Sequence, residues 1–360
     1  MEYMKLGDIV NIRTGKLNAN VADEKGSYPF FTCSKKISSI SSYSYDTEAV
    51  LVAGNGDLNV KYYKGKFDAY QRTYIITDNS SNQLYMPFLY FYMSAYVAQL
   101  RNQAIGGVIK YIKLQNLTEA EIRLPSIEQQ KEIVKFLQII QGVINDKKNE
   151  MSKLDELIKA RFVEMFGDPV QNSLNKPMVK LESLGDWKSG GTPARSNPNF
   201  YDGNINWFSA GELDSLYLSK SKEKITDEAV RKSSTKLFAK GSMLIGMYDT
   251  AAFKMGILKE PSCANQACAN IRANEKVNVI WLYYELQAMK KYFLNQRHGV
   301  RQKNLTLKMI KQFEIPYFDL SLQNKFANFV QQVNKSKVAV QKSLEETQTL
   351  FASLMQKYFS

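Results

Sequence analysis

The chain has 360 residues, a net charge of +13 and 44% hydrophobic residues. That length predicts two to three domains, each long enough to bury its own core, while the cationic excess favours a polyanionic partner, nucleic acid or an anionic membrane surface. No apolar run approaches the roughly 18–20 residues of a spanning helix, Met1-Glu2-Tyr3-Met4-Lys5 lacks a signal peptide's apolar core, and the single histidine, His298, excludes the usual Cys/His zinc cages, so a cytoplasmic protein without a metal site or a membrane partner is expected.

Residues 1–123 read as mixed α and β. Ala49–Ala53 is a short apolar run of strand type, and Gly54-Asn55-Gly56-Asp57 is a turn signal. Asn59–Tyr63 alternates, and Lys64-Gly65-Lys66 is expected to turn the chain back toward Thr73-Tyr74-Ile75-Ile76. Met86–Leu100 predicts a helix with Leu89, Tyr92, Met93, Tyr96, Val97 and Leu100 on one face. The three cysteines, Cys33, Cys263 and Cys268, are too few for a disulfide framework and are expected to be small buried apolar residues in a reducing compartment.

A long helix is predicted from about Ser126, where Ser126 and Gln129 form a capping-box pattern after Pro125. Its apolar residues recur in threes and fours at Ile133, Leu137, Ile140, Ile144, Met151, Leu154, Ile158, Phe162 and Met165. That is a heptad seam, closed by Gly167 and Pro169. The polar stretch 168–177 reads as a linker. A second mixed module follows, with strands expected at Met243–Met247 and Phe253–Leu258 and a helix near Trp281–Tyr292. A second long helix from about Leu320 carries Phe326, Val330, Val333, Lys337, Val340, Leu344, Thr347, Phe351, Leu354 and Tyr358 in the same rhythm. About 40 residues make each helix roughly 60 Å long, too long to stand half-exposed alone. Antiparallel pairing of the two is the economical arrangement; folding of each onto its own module is the alternative.

The second half repeats the first at an offset of about 190 residues, far beyond the roughly 20–50 of solenoids and propellers. Lys5-Leu6-Gly7-Asp8 and Thr14-Gly15-Lys16 are answered by Lys180-Leu181, Leu184-Gly185-Asp186 and Gly190-Gly191-Thr192-Pro193. Ile122-Arg123-Leu124-Pro125 is answered by Phe313-Glu314-Ile315-Pro316.

Catalytic signatures are missing. Gly15-Lys16 and Gly65-Lys66 are followed by Leu17 and Phe67, not the hydroxyl residue of a phosphate-binding loop. His298 lacks an evident carboxylate partner for nucleophilic catalysis, and Asn197-Pro198-Asn199-Phe200 reads as a surface loop. Basic and aromatic residues instead cluster in patterns that suit DNA. In the first half the candidates are Lys35, Lys36, Lys61, Lys64, Lys66, Tyr70, Gln71, Arg72 and Lys110. In the second they are Arg195, Lys220, Lys222, Arg231, Lys232, Lys254, Arg297, His298, Arg301, Gln302 and Lys303. The glycine-flexed loop Gly106–Lys110 matches His298–Lys303, so one basic loop recurs at equivalent places.

Three features resemble the specificity subunits of type I restriction–modification systems: Leu154–Pro169 closing the central helix, Leu184-Gly185-Asp186 with Ser189-Gly190-Gly191-Thr192-Pro193, and the proline-led, glutamine-bearing helix starts at Leu124–Gln130 and Ile315–Lys325. The resemblance covers the whole chain. It implies an α+β fold with two similar target-recognition domains, 1–123 and 178–315, separated by long antiparallel helices, 124–167 and 316–360, that form a coiled-coil spacer. It implies a non-catalytic chain that reads a bipartite DNA site and directs two methyltransferase subunits and a restriction/translocase subunit; helices this stiff are expected to hold the half-sites about one helical turn apart on one face of the duplex. S-adenosylmethionine, ATP and Mg would then belong to those partners. A coiled-coil scaffold or adaptor without DNA readout, or the DNA-recognition part of a related adenine methyltransferase system, are the other readings.

Overall fold

The computed structural model describes residues 3–295 and 304–359. It divides into two compact units, Met1–Glu150 with Val340–Ser360, and Met151–Ala339. The boundary cuts both long helices, Ile127–Phe166 and Leu320–Phe359, so each helix begins in one unit and ends in the other.

In the first unit a six-stranded sheet runs in the order Val10–Thr14, Thr73–Asp78, Tyr45–Ala53, Val60–Ala69, Tyr28–Phe31, Ser38–Ile40. Its central strand is apolar on consecutive positions because both faces are covered. Val50 and Val52 pack with the helix Met86–Gln103, whereas Ala49 and Leu51 face an aromatic cluster of Phe31, Tyr45 and Phe67. Tyr3–Lys5 pairs with Glu121–Arg123 in a separate antiparallel ribbon.

The expected turn at Lys64-Gly65-Lys66 is absent. The strand runs through it, pairing Glu48 with Lys64, Thr47 with Gly65 and Asp46 with Lys66. The partner strand is long enough to keep supplying hydrogen bonds, so the glycine, at φ +131°, marks a local irregularity in the strand and not a reversal. The chain reverses at Tyr70–Arg72, where the Thr73 N–H donates to the Tyr70 carbonyl at 2.8 Å. Cys33 also differs from expectation. It is half-buried, and its Sγ lies 3.4 Å from the Arg72 carbonyl, because its loop lies at the rim of the sheet. Cys263 and Cys268 are buried, and burial pushes both thiols up to about 12.

The second unit holds a five-stranded sheet ordered Gly185–Ser189, Cys268–Ala273, Met243–Gly246, Met255–Leu258, Tyr217–Leu218. A three-stranded sheet is built on Tyr201–Phe208, and Glu314–Pro316 pairs with Met178–Lys180. Met243 and Ile245 face the main core under the helix Val279–Leu294, while Leu244 faces a smaller one with Phe208 and Phe238. The central strand thus divides its side chains between two cores, as in the first unit.

Both units recruit the two long helices. In the first, Val134 and Leu137 join the core with Phe351, Leu354, Met355 and Phe359 against it, and Ile140, Ile144 and Leu344 form a further cluster. In the second, Ile158, Phe162 and Phe166 share one core with Phe326, Val330 and Val333. Phe162 meets Phe326 with ring centroids 5.5 Å apart, and Lys337 Nζ lies 2.6 Å from Asp155. Rising numbers on one helix meet falling numbers on the other, so the segments run antiparallel. Of the remaining seam residues, Ile133, Leu154 and Val340 are half-buried. The helix start at Ser126 is a reciprocal cap, with the Ser126 N–H donating to Gln129 Oε1 and the Gln129 N–H to Ser126 Oγ.

A buried glutamine joins each long helix to its module. Gln130, fully buried, accepts from the Tyr85 N–H at 2.8 Å and donates to the Gln83 and Pro125 carbonyls. Gln323, equally buried, accepts from the Asn278 N–H at 2.8 Å and donates to the Phe318 carbonyl at 2.7 Å. Each glutamine ties off the entry to the short helix that crosses its sheet. Gln130→Leu strands one N–H and two carbonyls, and each orphaned buried group costs about 1–3 kcal/mol. Chemical denaturation followed by circular dichroism should show the first unit losing about 3 kcal/mol. A loss under about 1 kcal/mol would mean that water replaces the amide.

Candidate nucleic-acid interface

One end of the first unit gathers several of the candidate residues around the turn Gly54–Asn59. The Gly54 N–H donates to the Arg72 carbonyl at 2.8 Å, and Asn59 Nδ2 to the Cys33 carbonyl at 2.8 Å. The Gly56 N–H donates to the Lys110 carbonyl at 2.9 Å. Lys35 Nζ lies 2.7 Å and Arg101 Nη2 3.3 Å from the Asp57 carboxylate, whose pKa is lowered chiefly by the Lys35 hydrogen bond. Lys61 Nζ bonds Asn59 Oδ1 and reaches the Thr32 carbonyl. Burial lowers the pKa of this lysine. The turn thus gathers the side chains of Lys35 and Lys61 and, through their backbone carbonyls, the loops that carry Arg72 and Lys110, with Lys36 exposed beside Lys35.

The adjoining turn at Tyr70–Arg72 is held by Gly15. The Gly15 N–H donates to the Thr73 carbonyl at 3.1 Å, and a Cβ at Gly15 would sit 2.1 Å from the Ala69 carbonyl oxygen. Only glycine allows that approach. Gln71, exposed, donates to Asn18 Oδ1 at 3.1 Å. Gly190 repeats the arrangement: its N–H donates to the Cys268 carbonyl at 2.9 Å, and a Cβ would lie 2.1 Å from the Asn265 carbonyl oxygen. The loops opening the two modules are thus equivalent in contact despite their different sequences.

The other candidates are placed differently. Lys64 pairs with Glu48 at 3.1 Å, and Lys66 Nζ sits 4.8 Å over the Tyr43 ring. In the second unit Arg195 is held by both Glu223 oxygens, at 2.6 and 3.3 Å, and stacks over Tyr201 and Trp207. The Glu223 hydrogen bond raises its pKa further. A guanidinium so engaged positions the three-stranded sheet and is not available to a phosphate without breaking those contacts. Lys232 pairs with Glu228, and Lys254 Nζ donates to the Gly211 carbonyl at 3.1 Å. Lys220, Lys222 and Arg231 are exposed and make no ion pair among the described residues. Arg297, His298, Arg301, Gln302 and Lys303 lie outside the described residues.

Sequence reasoning missed Arg101, whose role comes from reaching back from the helix end to Asp57 and the Leu58 carbonyl. It also missed Glu285, a fully buried carboxyl with no hydrogen-bond partner among the described residues, one helical turn from the equally unpartnered Trp281 indole N–H. Burial pushes Glu285 up to about 8. Among the described residues no His, Cys, Asp and Glu cluster could hold a metal, and no helix is long and apolar enough to cross a membrane.

Known proteins resemble the whole chain. The family model for the type I restriction modification DNA specificity domain matches residues 1–154 and again 175–348. The chain is 33% identical over 198 residues to the type I restriction enzyme EcoDI specificity subunit of Escherichia coli, a match covering 55% of this chain and 41% of that one. It is 22% identical to the MjaVIII specificity subunit of Methanocaldococcus jannaschii, covering 97% of this chain and 91% of that one. The crystal structure of the S subunit from M. genitalium superposes with a TM-score of 0.67 at 15% identity, covering 100% and 96% of the two chains. Two matched copies in tandem, on a mixed α/β fold duplicated in its contacts, place this chain in the type I restriction–modification DNA specificity family.

Proposed function

We propose that this chain reads a split, asymmetric DNA sequence, each unit contributing one half, and performs no chemistry itself. The observation that carries the reading is the convergence on one turn of the loops that carry Lys36, Arg72 and Lys110, all exposed and without an ion pair among the described residues, in a chain with a net charge of +13. Lys36 and Lys110 are free to neutralise phosphates, and the exposed Gln71 and Arg72 beside them to meet base edges. One unit alone discriminates weakly, because a mismatched base pair costs only about 1–3 kcal/mol. Two readers on one chain multiply that discrimination and add spacing as a further criterion. The long helices set the gap between the half-sequences.

Methylation of adenine then falls to two methyltransferase subunits, and cleavage to an ATP-driven restriction/translocase subunit. S-adenosylmethionine, ATP and Mg belong to those partners. Phe136, Ile139 and Val143, exposed on the first long helix outside its buried seam, support a protein partner there.

Inserting one heptad into each long helix adds about 10 Å. Mapping of methylated adenines in cells that express the chain with its methyltransferase should return one bipartite sequence. The insertion should lengthen its gap by about three base pairs and leave both half-sequences unchanged. A wild-type map without a split motif would refute the reading, and an unaltered gap would refute the role of the helices.

A further inference from the structure

Val108 and Ile109 are apolar side chains held in water by a stiff support. Val108 is fully exposed and Ile109 is 62% exposed. Below them, Ile105 and Tyr111 exchange backbone hydrogen bonds of 3.0 and 2.9 Å. The Gly56 N–H fixes the Lys110 carbonyl, and the Ile112 N–H donates to the Gly54 carbonyl at 2.9 Å. Gly106, at φ +114°, folds the loop so tightly that a Cβ there would sit 2.6 Å from the Ile109 carbonyl oxygen. The tip is a braced hairpin, and its two β-branched side chains have little rotamer freedom to lose.

Chemistry around the tip selects its occupant. Residues 104–113 contain Lys110 and Lys113 and no acidic residue. Lys110 is exposed and makes no ion pair among the described residues, and the backbone contacts above join the loop to the turn that carries Arg72. The one carboxylate of the bracing turn, Asp57, is bound by Lys35 and Arg101, and an apolar tip followed by two lysines suits a polyanion whose interior is apolar, namely stacked base pairs behind phosphates. We propose that Val108 and Ile109 form a wedge that enters a base step of the DNA bound by the first unit and partly unstacks it, so that ease of unstacking contributes to sequence choice. This rests on the reading of the unit as a DNA reader.

The test uses the chain assembled with its methyltransferase subunits and a duplex carrying 2-aminopurine at successive positions of the first unit's half-site. The wild type should bind the cognate duplex selectively, with a rise in fluorescence confined to one step. Val108→Ser with Ile109→Ser should abolish the rise and weaken cognate binding about tenfold, while the slope of affinity against salt stays the same, because no phosphate contact is removed. Selective wild-type binding without any rise, or a rise that survives the double substitution, would overturn the wedge and leave the DNA reading intact. Loss of subunit assembly in the variant would overturn it in favour of a protein contact. Absence of selective binding by the wild type would overturn the DNA reading and the wedge together.

Discussion

Tryptophan fluorescence should show the second unit losing stability as pH rises from about 4.5 to about 8, and Glu285→Gln should remove that loss. The three tryptophans, Trp187, Trp207 and Trp281, all lie in Met151–Ala339, so the signal reports that unit. Glu285 has no solvent exposure, both its oxygens lack partners among the described residues, and burial raises it from 4.5 to about 8. Because the folded pKa lies above the unfolded one, the folded chain holds a proton that the unfolded chain has released. Stability therefore falls by up to about 1.4 kcal/mol per pH unit within that window, and roughly 4–5 kcal/mol is lost in all. Below the window both states are protonated and no difference remains. Glutamine keeps the shape without the ionisation, so the variant should be several kcal/mol more stable than the wild type above pH 8 and near it at pH 4.5. Parallel pH profiles for the two proteins would show that the carboxyl is solvated in solution. The matching position in the first unit is Tyr92, whose hydroxyl donates to the Glu121 carbonyl at 2.9 Å and so avoids the problem.

Alanine at Gly15 or Gly190 should cost about 3 kcal/mol each, the upper end of what overpacking usually costs. The added Cβ meets backbone carbonyl oxygens at 2.1 Å in both places, and backbone cannot rotate aside as a side chain can. Gly190→Ala should lower the transition seen by tryptophan fluorescence. Gly15→Ala should leave that transition alone and destabilise the first unit, seen by circular dichroism. It should also displace Ala69–Tyr70, and with them Gln71 and Arg72, so that methylation tolerates changes in one half-sequence only. Wild-type stability for both variants would mean that the two loops do not press on their sheets as described.

The duplication and both long helices were legible because heptad spacing and recurrent breakers survive as sequence patterns. Burial along Leu137, Ile140, Ile144 and Leu344 follows that rhythm. Gln130 and Gln323 lie on the same stripes, and a polar residue recurring on an apolar face was a signal that only their bonding partners explain. Gly65 misled because a glycine between lysines reads as a turn, whereas a long partner strand carried the pairing through. The cationic cluster was legible in composition but not in arrangement. Charge alone could not tell Lys110, exposed and without an ion pair among the described residues, from Arg195, committed to Glu223 and two rings. Glu285 gave no local sign, since its isolation depends on what the rest of the unit packs around it.

The core of the first unit is closed by Phe351, Leu354, Met355 and Phe359, yet all of Met151–Ala339 is synthesised between them and the remainder of that unit. At ribosomal speeds that interval lasts on the order of 10–40 s. During it the nascent amino-terminal module presents an unsealed apolar face to solvent or to a chaperone, while the later module already has both of its helical segments in hand up to Ala339. The earlier-born unit is therefore the later to mature, and a message truncated within the helix Leu320–Phe359 would yield a chain whose defect lies at its opposite end.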